Sequence, residues 1–122
     1  MGDPPKRLRR LIREYSSLAY EAELRLALQS LAERFDTWRS GELSSFDLSD
    51  AIHKFHEGTS RDLWKSYNLG PSEWALARAV HSGALDRAVL PPELLDYLGR
   101  YLGFLEEEST DLPDESRGSS TP

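Results

Sequence analysis

Residues 6–37 are KRLRRLIREYSSLAYEAELRLALQSLAERFDT, a stretch without glycine or proline. Apolar side chains recur in it at spacings of three and four residues, which is the periodicity of one face of an α-helix. The apolar stripe changes phase near residues 22–24, which fits one helix with a stutter or two helices that meet near Tyr20. One helix is favoured, because no glycine or proline interrupts residues 6–40. Asp3 and the two prolines after it are typical of a helix start. This stretch predicts one long helix over about residues 4–37.

The apolar composition favours helices in the rest of the chain as well. Its 122 residues include 20 leucines and 10 alanines, but only two isoleucines and two valines. Leucine and alanine are good helix formers, whereas β-branched residues are favoured in strands. The predicted fold class is therefore all-α. We expect a small orthogonal or helix–loop–helix bundle, in which about four shorter helices pack against the second half of the long N-terminal helix.

Glycine and proline divide the remainder of the chain into shorter helical segments. Ser44 and Asp47 form a capping-box pattern that begins a helix over about 45–57, and Gly58 is expected to end that helix. The other predicted segments are helices over about 60–68, 71–82 and 92–107, and one helical turn at 85–88.

The residues expected in the core come from several of these segments. The predicted core positions are Trp38, Phe46, Ile52, Phe55, Trp64, Trp74, Leu94, Leu95, Tyr97, Leu98, Tyr101, Leu102 and Leu105.

The C-terminal segment differs sharply in composition from the rest. Residues 106–122, EEESTDLPDESRGSSTP, contain one large apolar residue and carry a net charge of −5. Such a segment buries too little apolar surface to offset the entropy that ordering costs. The sequence therefore predicts one helical domain over residues 1–107 and a disordered acidic tail over residues 108–122.

Composition excludes several classes of function. The chain contains no cysteine, which rules out disulfides, thiolate zinc sites and cysteine nucleophiles. Its apolar runs are shorter than the ~20 residues that span a bilayer, and residues 1–10 lack the apolar region of a secretory signal. We therefore expect a cytoplasmic protein. The net charge of −6 argues against bulk nucleic-acid binding.

The densest polar and aromatic stretch is residues 52–67, IHKFHEGTSRDLWKSY. His53 and His56 share a helix face and can bind a metal together, although two histidines near a helix C-terminus also interact favourably with its dipole. The expected helix start near Ser60, with Arg61, is an alternative site for phosphate or carboxylate. For a small anion- or metal-binding protein, including an enzyme, the candidate residues are His53, His56, Glu57, Ser60, Arg61 and Tyr67.

Residues 36–47 resemble a degenerate EF-hand loop. Asp36 occupies position 1 and Gly41 occupies position 6, but Trp38 at position 3 offers no oxygen ligand. Asp47 replaces the bidentate glutamate that ends an EF-hand loop. This loop supplies too few oxygens for calcium, so a plain helical hairpin is favoured and no metal site is assigned.

The start of the long helix is both amphipathic and basic. Its pattern fits an anionic membrane surface, nucleic acid, an acidic partner, a second copy of the chain, or a plain helix packed within its own domain. A helix this long would protrude from a globule of about 13 Å radius of gyration, so self-association is favoured. The candidate partner-binding residues are Leu8, Leu11, Ile12, Tyr15 and Leu18, and the candidate nucleic-acid contacts are Lys6, Arg7, Arg9, Arg10 and Arg13.

Residues 38–44 (WRSGELS), 52–58 (IHKFHEG) and 60–67 (SRDLWKSY) resemble a set of small uncharacterised bacterial proteins that are also helical. The resemblance covers about residues 30–90. It implies no activity, but it directs attention to residues 53–67. The sequence contains neither a nucleotide-binding loop nor a nucleophile elbow, so a binding role is favoured over catalysis and no cofactor is expected. The preferred function is protein–protein interaction, as a homodimer formed through the N-terminal helix.

Overall fold

The structure, a computed structural model, describes residues 4–111. These residues lie in helices and in the turns between them, which confirms the all-α class. The elements are α1 (Lys6–Arg39), α2 (Ser45–Lys54), a π-helix (Phe55–Ser60), α3 (Arg61–Asn68), α4 (Ser72–Ser82), a 3₁₀ turn (Arg87–Val89) and α5 (Pro92–Asp111).

The first helix is continuous, as the sequence predicts. α1 has 34 residues, which corresponds to a length of about 51 Å. Pro5 precedes its first residue, whereas Asp3 lies outside the described residues. The helix ends at a turn in which Gly41 has a φ of 87°, a conformation that glycine adopts without the strain of a side chain.

The core lies between the first half of α1 and the helices α4 and α5, so the expectation that the shorter helices pack against the second half is wrong for α4 and α5 and holds for α2 and the π-helix. The physical reason is the size of the side chains on the packing face. Ser16 and Ala19 of α1 are buried against the alanine-rich helix α4, and small residues allow two helices to approach closely. Ser16 also donates a hydrogen bond from Oγ to the carbonyl oxygen of Ser72.

The apolar residues predicted for the last helix do form part of the core. Leu94, Leu98 and Leu102 are buried, and the other four predicted positions of α5 pack against the same cluster. Trp74 of α4 adds edge-to-face contacts with Tyr101 and Phe104 at ring-centroid distances of 4.8 Å and 5.4 Å. The aromatic pairs join α4 to α5 along one side of the core.

The core positions predicted for α2 are largely wrong. Phe46 is 88% exposed and Ile52 is also exposed, whereas Leu48 is buried instead. Two of the tryptophans assigned to the core, Trp38 and Trp64, are exposed as well. These residues lie in the part of the molecule that α4 and α5 do not cover, so the apolar surface around them stays open to solvent.

The helix that starts at Ser45 does not end at Gly58. Ser44 caps it as predicted, because its Oγ accepts a hydrogen bond from the Asp47 amide at 3.0 Å. The chain then passes through the π-helix directly into α3, and Ser60 has helical dihedral angles of −61° and −46°. A glycine in a helix costs about 1 kcal/mol, which packing of this segment against α1 can offset.

Of the two C-terminal helices, α4 ends where the sequence predicts and α5 ends later. α4 ends at Gly83, whose φ of 85° makes it the left-handed cap that the sequence indicates. α5 continues to Asp111 instead of ending at residue 107, so residues 108–111 of the predicted tail are helical. Residues 112–122 of that tail lie outside the described residues.

Candidate functional site

The residues predicted to bind a partner lie mostly inside the domain. Ile12 is only 4% exposed, Leu11 and Tyr15 pack against the core, and Leu8 is half-buried. Leu18 is the exception, because it is 49% exposed. The first half of α1 is therefore committed to its own domain, and a partner-binding face must be sought further along the helix.

The second half of α1 carries an apolar face that the other helices only partly cover. Its members, Leu24, Leu28, Leu31 and Phe35, follow each other at spacings of four, three and four residues, the repeat found in coiled coils. We call these four residues the distal seam. Leu28 is 46% exposed, and it lines an open groove of about 300 Å³ together with Leu24.

α2 covers only one flank of the distal seam. A gap of about 330 Å³ lies between α1 and the segment formed by α2 and the π-helix, with Ala27 and Leu31 on the α1 side and Ala51 and Phe55 opposite. Near the end of α1, the indole nitrogen Nε1 of Trp38 donates to Ser45 Oγ at 3.0 Å and fixes the start of α2. The other flank of the seam, which includes Leu28, faces solvent.

The basic residues predicted to contact nucleic acid all lie on the surface, at the start of α1. Lys6, Arg7, Arg10 and Arg13 line a shallow groove there. Arg7 already has a partner, because its Nη2 and Nε atoms lie 2.7 Å and 2.8 Å from Glu93 Oε1. Nucleic-acid binding at this end stays a prediction.

Four of the six predicted ligand-binding residues converge on one groove. The groove has a volume of about 360 Å³ and lies where the π-helix passes α1. We call it the π-helix groove, and it is lined by Tyr20, His56, Glu57, Ser60, Arg61 and Trp64. His53 is exposed and is not part of this lining.

Tyr67, the remaining predicted ligand residue, does not line the groove but packs against Tyr20, which does. Its ring stacks on Tyr20 with the centroids 4.9 Å apart and the planes 7° from parallel. Its hydroxyl donates a hydrogen bond to Glu23 of α1. Burial, and then the hydrogen bond to Glu23, raise the pKa of the Tyr67 hydroxyl well above its ordinary value, so the group stays protonated and remains a donor.

The expected backbone anion site near Ser60 is wrong. That site needs the free N–H groups of a helix N-terminus, but the backbone is helical on both sides of Ser60. Only side chains remain to bind a ligand there. Arg61 is the main cation, and its Nη1 lies 3.8 Å from Glu57 Oε2, too far for a good hydrogen bond.

Neither the histidines nor the loop after α1 belongs to a cluster of three or more metal-binding side chains in residues 4–111. Within that range, no three histidine or carboxylate side chains come close enough together to hold a metal ion. Asp36, the first residue of the EF-hand-like loop, lies in the last turn of α1, and its Oδ1 binds Arg39 Nη1 at 2.7 Å. The loop is a helical hairpin turn in this structure.

Sequence reasoning missed Tyr20 and the distal seam as surface features. Tyr20 lies 36 residues before His56, and only the packing of two helices reveals their proximity. The four seam residues share the apolar periodicity of the buried positions of α1, so periodicity alone does not separate the two sets. The phase change of the stripe near residues 22–24 is the one available signal.

Comparisons with protein-family models, with curated proteins and with solved structures find no match to this chain. Among the helices of residues 4–111, none combines the length and the apolar character needed to cross a membrane.

Proposed function

We propose that this protein is an interaction module that forms a homodimer through the distal seam of α1. The observation that carries the proposal is the row of apolar residues on this helix, of which Leu28 is 46% exposed. Contiguous apolar surface on a folded domain is typical of an interaction site. The coiled-coil spacing of the row suits another helix as its partner.

The charges beside the seam favour a second copy in the antiparallel orientation. Glu21 lies at one end of the seam and Arg39 at the other, and both are exposed. In a parallel pair in register, each of these residues would meet its own copy and be repelled. In an antiparallel pair, Glu21 approaches Arg39 of the second copy at both ends. A face with this property is self-complementary about a two-fold axis, as a symmetric dimer requires.

The length of the seam limits the strength of this pairing. The seam spans fewer than two heptads, which is short for a coiled coil, so we expect a weak dimer with a Kd of about 1–100 µM.

Sedimentation velocity over about 1–200 µM tests the proposal, because this range brackets the expected Kd. The test variant is Leu28→Glu, which places a charge in the seam. The matched control is Leu26→Glu, because Leu26 is 55% exposed on the same helix but points about 200° away around its axis. We expect a wild-type dimer, a monomeric L28E variant and an unchanged dimer for L26E.

Circular dichroism melting curves establish that both variants are folded before their masses are compared. The proposal fails if the wild-type chain remains monomeric at the highest concentration, or if L26E dissociates the dimer as completely as L28E does.

Cross-linking tests the orientation, since the chain has no native cysteine to interfere. Glu21→Cys and Arg39→Cys chains, mixed and oxidised, should form the mixed disulfide in preference to either homodisulfide. A preference for the Glu21→Cys homodisulfide would instead indicate a parallel pair.

A further inference from the structure

The π-helix groove is a second surface of the molecule, and none of its residues belongs to the distal seam. Residues 56, 57, 60, 61 and 64 lie on one face of the continuous helical segment 45–68 and approach Tyr20 of α1. The π-helix contributes three of these five positions. Such wider turns occur often at functional sites.

The aromatic part of the groove is preorganised. Tyr67 covers one face of the Tyr20 ring at 4.9 Å, and Tyr67 is itself anchored to Glu23. Trp64, which lines the same groove, is 50% exposed, although tryptophan has the largest side chain of the amino acids. Two aromatic side chains of different helices therefore offer ring surface to one space, which suits a planar apolar group.

The polar part of the groove favours a negative charge on that group. Arg61, His56 and Ser60 supply hydrogen-bond donors, and Glu57 is the only acidic residue in the lining. The Arg61–Glu57 pair is 3.8 Å long and about half exposed, so it is weak and leaves donors of the guanidinium group available. A guanidinium group matches a carboxylate in two parallel hydrogen bonds.

Size restricts the ligand further. A volume of about 360 Å³ lies at the lower end of the range for small-molecule sites, roughly 300–1,000 Å³. This space suits one ring system with a short acidic substituent and is small for a nucleotide. We propose that the π-helix groove binds a small planar aromatic acid, with its ring against Tyr20 and Trp64 and its carboxylate on Arg61.

Nuclear magnetic resonance of the three indole N–H groups tests this assignment in the full chain. The probe is indole-3-acetate, and the comparison ligand is tryptamine, which has the same ring but a positive charge. Trp38 donates to Ser45 and Trp74 packs on Tyr101, and neither lines the groove. Only the Trp64 signal should therefore move, with a Kd of about 1 mM for a ligand of this size.

Charge recognition is tested with Arg61→Gln and a matched control, Arg25→Gln. Arg25 and Glu21 form another exposed pair four residues apart, with a similar distance of 3.6 Å. We expect wild type and R25Q to bind indole-3-acetate about tenfold more tightly than tryptamine, and R61Q to lose this preference.

Three results would overturn the assignment: no movement of the Trp64 signal at about 10 mM indole-3-acetate, equal movement of all three indole signals, or tighter binding of tryptamine. The first two mean that the groove binds no aromatic acid, and the third means that Glu57 selects a cation. None of them bears on the dimer, which is measured separately through Leu28.

Discussion

The two halves of α1 belong to the same helix but have different surroundings. In the first half, Ile12, Ser16 and Ala19 are buried beneath α4 and α5. In the second half, α2 covers one flank, and Leu26 and Leu28 remain exposed. Both halves contain many leucines and alanines, so the count of apolar residues does not distinguish them. Small residues at the centre of a face mark the half where another helix packs closely.

The largest expected effect is on stability: truncating an apolar side chain to alanine should destabilise the protein far more in the first half of α1 than in the second. Ile12→Ala should lower the free energy of unfolding by about 2–5 kcal/mol, because it leaves a cavity in the core. Leu28→Ala should change it by less than about 0.5 kcal/mol, as is usual at exposed sites. Urea denaturation at concentrations where the chain is monomeric measures both values. Equal losses would show that the second half is also part of the core.

Enlarging a side chain in each half of α1 tests the same comparison, with a smaller expected effect on stability. Ala19→Leu should cost about 1–3 kcal/mol, because Ala19 is fully buried where α4 packs against α1. Ala32→Leu adds the same atoms at an exposed position of the same helix and should be close to neutral. The measurement is the midpoint of thermal unfolding of each variant. A neutral Ala19→Leu variant would contradict the close packing of the two helices.

The smallest effect concerns Tyr67, which ties α3 to α1 at the boundary between its two halves. Tyr67→Phe removes the hydrogen bond to Glu23 and should lower stability at pH 7 by about 1 kcal/mol. Because the folded state raises the pKa of Tyr67 above its ordinary value of 10.0, this contribution is complete below pH 10. It is lost as the pH rises further and the unfolded chain releases the proton.

Urea denaturation at several pH values from 7 upward checks this prediction. The wild-type free energy of unfolding should decline more steeply above pH 10 than that of Tyr67→Phe. Glu23→Gln, which keeps an acceptor but removes the charge, should show an intermediate slope. Identical slopes for the wild type and Y67F would mean that Tyr67 titrates alike in the folded and unfolded states.

The elements of the fold could be predicted from local sequence signals, because caps and periodicity act within a few residues. Ser44 and Gly83 mark helix ends, and both have the predicted role. Gly58 also resembles a helix end, but the backbone continues through it as a π-helix. Whether a weak stop signal ends a helix depends on the packing of the segment against α1, which local sequence does not contain.

The π-helix groove could be predicted only in part for a related reason. His56, Glu57, Ser60 and Arg61 are close in sequence, so their density pointed to a site, and the structure brings them together. Their aromatic counterpart Tyr20 comes from another helix, and its place depends on how the two helices pack. The same dependence explains Leu8, Leu11 and Ile12, whose amphipathic pattern fits an interface and a core equally well.

The length of α1 sets the distance between the two basic ends of the proposed dimer. Pairing over residues 21–39 leaves the first 15 residues of each helix, with its core, outside the overlap. From this overlap and a rise of 1.5 Å per residue, the two basic ends near Lys6 would lie about 70 Å apart, at opposite tips of an elongated body. If the basic residues bind nucleic acid, as their pattern predicts, a fragment shorter than this distance would reach one end only, whereas a longer one would contact both ends and gain avidity. The half of α1 outside the overlap, which packs in the core of its own domain, would set this distance.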